Sequence, residues 1–80
     1  MFDTLLPLDL LETGAWAEVE EVTGEAPWVS RMAELGVRSG SRLQVLRQGS
    51  PCLLHVAGSR LSVRGETGSQ ILVRPVRAGR

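Results

Sequence analysis

The chain contains five short runs in which apolar and polar residues alternate, and each run is bounded by glycine or proline. From residue 15 onward the runs are "AWAEVEEV", "SRLQVLR", "CLLHVA", "RLSVR" and "QILVRPV". Alternation with a period of two places the apolar side chains on one face of a strand, so each run predicts a half-buried strand. Five short strands predict a mostly β fold, a small β barrel whose closure removes exposed strand edges.

One segment between the first two runs has the spacing of a helix instead. Trp28, Met32 and Leu35 recur at i, i+4 and i+7, after a proline suited to a first helical turn. Gly36 stands where a left-handed residue ends a helix, and Val37 is expected to cover Met32 in the apolar contact that accompanies such a cap. The sequence therefore predicts one short α-helix inserted after the first strand.

Turns and irregularities are marked by particular residues. Gly40 is expected at the corner of a turn, and Gly58-Ser59 as the two-residue loop of a hairpin. The adjacent pair Glu20 and Glu21 breaks the alternation of the first run and suggests a β-bulge. The earlier segment "LPLDLLETG" is compatible with a helical turn or with an extended arm whose leucines enter the core.

Length and cysteine content indicate the type of protein. With 80 residues we expect one domain over 1–80, a core over 4–76 and a mobile tail at 77–80. The single cysteine excludes an intrachain disulfide, and no apolar run reaches the ~20 residues of a bilayer span. The amino-terminal segment is interrupted by acids and a proline, which is unlike a signal peptide. We therefore expect a cytoplasmic protein without membrane insertion.

The formal net charge of zero conceals an uneven distribution. Residues 1–37 contain eight acids and one arginine, whereas residues 38–80 contain eight arginines and one acid. No lysine is present, and arginine favours bidentate contacts with carboxylates and phosphates. Either the two halves pair internally, or the second half forms a basic face for an acidic partner or a nucleic acid.

Two blocks carry a resemblance to a known family. The block "RMAELGVRSGSRLQV" and the later "GSRLSVR", followed by an isoleucine and a valine in the last run, closely resemble the FeoA family of bacterial ferrous iron uptake systems. The resemblance extends over residues 4–76. It implies an SH3-like barrel that regulates or assembles a membrane-embedded permease, FeoB, which carries a cytosolic guanine-nucleotide-binding domain. The same module ends some metal-dependent transcriptional repressors, but no winged-helix segment precedes it here, so a stand-alone accessory is expected.

Enzymatic chemistry is not expected from this composition. The chain has one His, one Cys, no Lys and no Tyr, so it has almost no material for acid–base or nucleophilic catalysis. The segment "GVRSG" lacks the Gly-Lys-Ser/Thr ending of a phosphate-binding loop.

The only soft or borderline metal ligands are Cys52 and His55. Positions i and i+3 of a strand point to opposite faces, so the pair cannot chelate one ion without a bulge. A packed cysteine and a surface histidine are the simplest interpretation, and no metal is needed for folding. If zinc or ferrous iron binds, we expect ligands shared between two chains in a metal-promoted homodimer, with carboxylates completing the set.

The exposed residues around the helix end are the predicted docking site for FeoB. A helix stop followed at once by a turn forms an anchored corner, and such corners often carry recognition residues. Its predicted members are Arg31, Glu34, Leu35, Val37, Arg38, Ser39 and Arg42. The alternative is a small nucleic-acid-binding or metal-responsive regulatory barrel. The acidic first half and the shortage of aromatic residues argue against nucleic acid as the partner.

Overall fold

The computed structural model describes residues 5–49, 51–64 and 70–76. Its elements are β1 (Leu6–Pro7), a 3-10 turn (Leu8–Leu10), β2 (Trp16–Val22), α1 (Ala26–Glu34), β3 (Arg42–Arg47), β4 (Cys52–Val56), β5 (Ser59–Val63) and β6 (Ile71–Val76). The strands form one antiparallel sheet in the order β1-β6-β2-β3-β4-β5. The expected closure does not remove every strand edge, because β1 and β5 end the sheet and do not pair with each other among the described residues. The predicted mostly β fold with one inserted helix is confirmed. The predicted tail at 77–80 lies outside the described residues.

The segment before β2 contains both an extended part and a helical turn, the two structures that the sequence allowed there. Leu6 and Pro7 pair with β6 as a sixth, two-residue strand, and the 3-10 turn follows directly. Leu8 in that turn is fully buried, and Leu11 just after it is nearly so. The segment thus covers one end of the core with leucine side chains.

The core follows from the alternation of the strands. In β2, β3, β4 and β6 buried, inward-facing residues alternate with half-buried or exposed neighbours, as the alternation of the sequence predicts. These inward residues are Ala17 and Val19, Leu43 and Val45, Leu54 and Val56, and Ile71 and Val73. The predicted bulge in the first run is confirmed, since the β2–β6 register shifts between Val19 and Glu21.

Part of the charge asymmetry is neutralised across β2 and β6. The Arg74 guanidinium donates to Glu18 at 2.5 Å and to Glu20 at 3.0 Å. Two acids of the first half are therefore held by one arginine of the second half. Of the two interpretations of the charge distribution, internal pairing accounts for this part.

The end of α1 has the predicted glycine cap. Gly36 has φ +100°, its N–H donates to the Ala33 carbonyl at 3.0 Å, and the Val37 N–H donates to the Met32 carbonyl at 2.8 Å. These two bonds define a Schellman motif, and Met32 and Val37 are both buried in the core. Leu35, which the helical spacing placed on the buried stripe, is instead the C-cap residue and is 42% exposed.

The hairpin between β4 and β5 turns one residue earlier than predicted. Val56 pairs with Ser59, so the two-residue loop is Ala57-Gly58 and not Gly58-Ser59. Both loop residues have positive φ, +53° and +77°, as a type I′ turn requires. Alanine rarely adopts this conformation, which is why the sequence pattern favoured the wrong register of the loop.

Candidate functional site

The structure brings five of the predicted docking residues together around the end of α1. We call this group, Arg31, Glu34, Leu35, Arg38 and Ser39, the helix-end corner, and all five are exposed. The turn behind it is tied to β2, because the Gly40 N–H donates to the Val19 carbonyl and the Val19 N–H donates to the Ser41 carbonyl, both at 2.7 Å. The corner is therefore held on the barrel by main-chain hydrogen bonds.

Two predicted members do not belong to this exposed group. Val37 was expected to offer apolar contact to a partner, but it has no exposed surface because the Schellman motif turns it into the core. Arg42 is exposed on β3, directly across from Glu18 of β2, and already interacts within the chain. Leu35 and Val37 were the two residues expected to offer apolar contact. Of these two, only Leu35 is exposed.

A groove of about 360 Å³ is lined by the helix end on one side and by the β4–β5 hairpin on the other. We call it the hairpin groove. Its lining from the helix side includes Glu34, Leu35 and Arg38, and its lining from the hairpin includes Arg60 and Leu61. A smaller groove of about 240 Å³ runs between α1 and β2, and Arg38 borders both grooves.

The electrostatics of the hairpin groove are set by two arginines. The side chains of Arg38 and Arg60 make no hydrogen bond or ion pair with any residue in the described ranges. Glu34 is the one acid among the described lining residues. The groove thus combines leucine side chains with an excess of positive charge, which suits carboxylates next to apolar groups.

The sequence predicted the helix side of this groove but missed the hairpin side. Arg60 and Leu61 were assigned only to a strand, although they lie in the "GSRLSVR" block that carries the family resemblance. No local sequence pattern marks them, because they reach the groove through packing of the hairpin turn against the helix end. A Cβ built on Gly36 would lie 2.6 Å from the Ala57 Cβ, so the helix end and the hairpin turn are in direct contact.

The two possible metal ligands are separated as the strand geometry predicted. Cys52 is 3% exposed and His55 is exposed on the other face of β4. Burial raises the pKa of the Cys52 thiol, and the Asp9 carboxylate raises it further. No cluster of three or more His, Cys, Asp or Glu residues with metal-binding geometry occurs within residues 5–49, 51–64 and 70–76.

A family model, the FeoA domain, matches residues 6–75. The chain belongs to the FeoA family. No protein with a curated description matches the sequence. In the parts of the chain that the structure describes, no helix is long and apolar enough to cross a membrane.

Solved FeoA structures share the fold of this family member closely. An iron uptake regulatory protein (FeoA) superposes with a TM-score of 0.85 at 21% identity, covering 91% of this chain and all of the other. FeoA from Chlorobium tepidum gives a TM-score of 0.85 at 29% identity, covering 94% of this chain and 74% of that one.

The zinc-bound FeoA of Stenotrophomonas maltophilia gives a TM-score of 0.72 at 25% identity, covering 82% of this chain and 86% of that one. That protein is described as a prokaryotic SH3 domain protein and a proposed activating factor for ferrous iron transport. The SH3-like architecture expected from the resemblance is therefore confirmed.

Proposed function

We propose that this FeoA-family chain is a cytoplasmic, non-catalytic accessory of bacterial ferrous iron uptake that binds the cytosolic guanine-nucleotide-binding domain of FeoB. The helix-end corner is the docking surface. The family match over residues 6–75 supports the role in iron transport. The description of the Stenotrophomonas protein as a transport-activating factor supports an accessory role over a catalytic one.

The observation that carries the docking site is the exposure of Leu35 between two arginines whose side chains have no ion-pair partner among the described residues. Leu35 is 42% exposed at the centre of an anchored corner, with Arg31 four residues before it and Arg38 three residues after it. Neither arginine has an ion-pair partner in the described part of the chain. Protein interfaces commonly place apolar anchors in the centre and arginines around them, because desolvated apolar contact supplies affinity and charge supplies orientation.

Metal is not part of this proposed function. The core consists of apolar side chains from the strands, the helix and the amino-terminal turn, so we propose that the chain folds without a resident ion. Cys52 is too deeply buried to be a surface ligand. A zinc or ferrous ion held by the exposed His55 would have to be shared with a second chain, as an adventitious ion at a homodimer contact.

The test compares each corner variant with a matched variant elsewhere on the surface. Leu35→Asn is paired with Leu10→Asn, since Leu10 is 61% exposed and borders neither groove. Arg38→Glu is paired with Arg47→Glu, since Arg47 is exposed and also borders neither groove. Arg42 is left unchanged, because an acid there would face Glu18 across the strand pair.

Binding of each variant to the purified FeoB cytosolic domain is to be measured by calorimetry, and ferrous iron uptake is to be measured in cells. The two corner variants should bind about tenfold more weakly, and the two matched variants should stay within about twofold of wild type. All four should keep the wild-type melting temperature to within a few degrees. Wild-type affinity in both corner variants would place the docking surface elsewhere, and a wild-type chain that does not bind the domain would refute the proposed function.

A further inference from the structure

The outer side of β5 offers main-chain hydrogen-bonding groups. β5 is last in the sheet order and pairs only with β4 among the described residues. The turn at Ala57-Gly58 makes Val56 and Ser59 the hydrogen-bonded pair that closes the hairpin. Hydrogen-bonded and non-hydrogen-bonded pairs alternate along an antiparallel ladder, so the N–H and C=O groups of Arg60 and Ser62 point away from β4. Such an edge can accept another strand.

The two faces of β5 differ in chemistry next to the hairpin groove. Leu61 lies across from the buried Leu54, is half-buried, and lines the groove together with Leu35. Arg60 lies across from the exposed His55 on the outer face. A strand added beside β5 would therefore place alternate side chains next to Leu61 on one face and next to Arg60 on the other.

The positive charge of the hairpin groove restricts which kind of segment can bind there. Arg38 and Arg60 both line the hairpin groove and have no ion-pair partner in residues 5–49, 51–64 and 70–76. Glu34 offsets only one of these two charges. The residues of the added strand that face Arg60 are therefore expected to be acidic, since opposite charges on directly paired cross-strand positions stabilise the pairing and like charges weaken it.

We propose that the edge of β5 and the hairpin groove bind an extended segment of the partner in which acidic and apolar residues alternate. The segment adds as a strand to β5, places an apolar side chain between Leu35 and Leu61, and directs carboxylates to Arg60 and Arg38. This assignment rests on the proposed function, in which the segment belongs to the cytosolic domain of FeoB. It specifies the mode of recognition as strand addition combined with charge pairing.

The first experiment tests the groove without the transporter. The probe is a capped synthetic heptapeptide of alternating Glu and Val, and its control is the same peptide with Lys in place of Glu. Each is titrated into the ¹⁵N-labelled chain and followed by NMR. The acidic peptide should shift the amide signals of Arg60 and Ser62 and slow exchange of the Ser62 amide, and the basic peptide should bind at least about tenfold more weakly. Equal binding of the two peptides, or shifts confined to other surfaces, would overturn the proposal.

The second experiment uses variants of β5 and the purified FeoB domain. Arg60→Glu should weaken binding about tenfold, with Arg47→Glu as its matched control. Ser62→Pro removes an outward N–H, which an edge strand tolerates, and should weaken binding about fivefold relative to Ser62→Ala.

The outcomes distinguish failure of strand addition from failure of the proposed function, on which the strand addition rests. If wild type binds the domain and neither β5 variant is weaker, strand addition is wrong and the proposed function stands. If the acidic peptide binds but the FeoB domain does not, the proposed function fails and the groove specificity stands. Sedimentation showing a wild-type dimer that Ser62→Pro dissociates would make a second copy of the chain the occupant, and would also overturn the proposal.

Discussion

The contact between Gly36 and Ala57 makes a strong, quantitative prediction about stability. Replacing Gly36 by alanine has two separate costs. A side chain at φ +100° is strained, which costs about 1 kcal/mol. The new Cβ would also lie 2.6 Å from the Ala57 Cβ, and such overpacking costs about 1–3 kcal/mol. Gly36→Ala should therefore lower the free energy of unfolding by about 2–4 kcal/mol, more than a cap residue alone explains.

The second residue of the pair provides the control. Ala57→Gly removes the atom that the new Cβ would meet and relieves a positive φ of +53°, but it also gives the unfolded chain more conformational freedom. These two effects oppose each other, so Ala57→Gly alone should change stability by less than about 1 kcal/mol. In the double variant only the strain at position 36 remains, a cost of about 1 kcal/mol.

The assay is a double-mutant cycle by urea unfolding at constant pH and salt. The coupling free energy between the two positions should be about 1–3 kcal/mol, in the sense that Ala57→Gly rescues Gly36→Ala. In thermal unfolding, each kcal/mol corresponds to a shift of about 4–8 °C for a domain of this size. Effects that add to within about 0.5 kcal/mol would show instead that the helix end and the hairpin turn do not press on each other.

Three further predictions concern charge, the buried thiol and metal. Arg74→Met should lower the free energy of unfolding by less than about 1 kcal/mol, and by less still in 1 M salt, because the side chains of Arg74, Glu18 and Glu20 remain 33%, 28% and 36% exposed. Because the pKa of the Cys52 thiol is raised in the folded state, stability should be constant while the thiol is protonated in both states. It should then fall as the pH rises from about 8.5 through the folded pKa, and Cys52→Val should abolish this fall in urea titrations at several pH values. A chelator should leave the circular dichroism spectrum and the melting curve unchanged, whereas a loss of native signal would mean that a metal is part of the folded structure.

The sequence predicted most of the fold because its signals are local. The alternation in each run, the bulge beside Glu20 and the glycine cap at Gly36 depend on neighbouring residues, and the structure contains all three. The hairpin loop was misplaced by one residue because Ala57 adopts a conformation that its own side chain disfavours. The packing of this turn against the end of α1 is a tertiary contact, which a local pattern does not contain.

The sequence predicts only the helix side of the candidate site, because the hairpin side depends on tertiary packing. Helical spacing places Leu35 on the apolar stripe of the helix, and both Leu35 and Val37 were expected to offer apolar contact to a partner. The structure leaves Leu35 exposed and buries Val37. A Schellman motif rotates the chain sharply after the helix, so helical periodicity no longer applies at these positions. Arg60 and Leu61 enter the site only through packing of the hairpin against the helix end, and no local pattern encodes such packing.

An NMR footprint tests whether the helix-end corner docks on the transporter. The ¹⁵N-labelled chain is mixed with the unlabelled cytosolic domain of FeoB, and the loss or shift of each amide signal is recorded. We expect a footprint on residues 31–39 that continues onto the outer edge of β5, with the amides of β1 and β6 unaffected. A footprint centred on β1 and β6, with the signals of Leu35 and Arg38 unchanged, would contradict it.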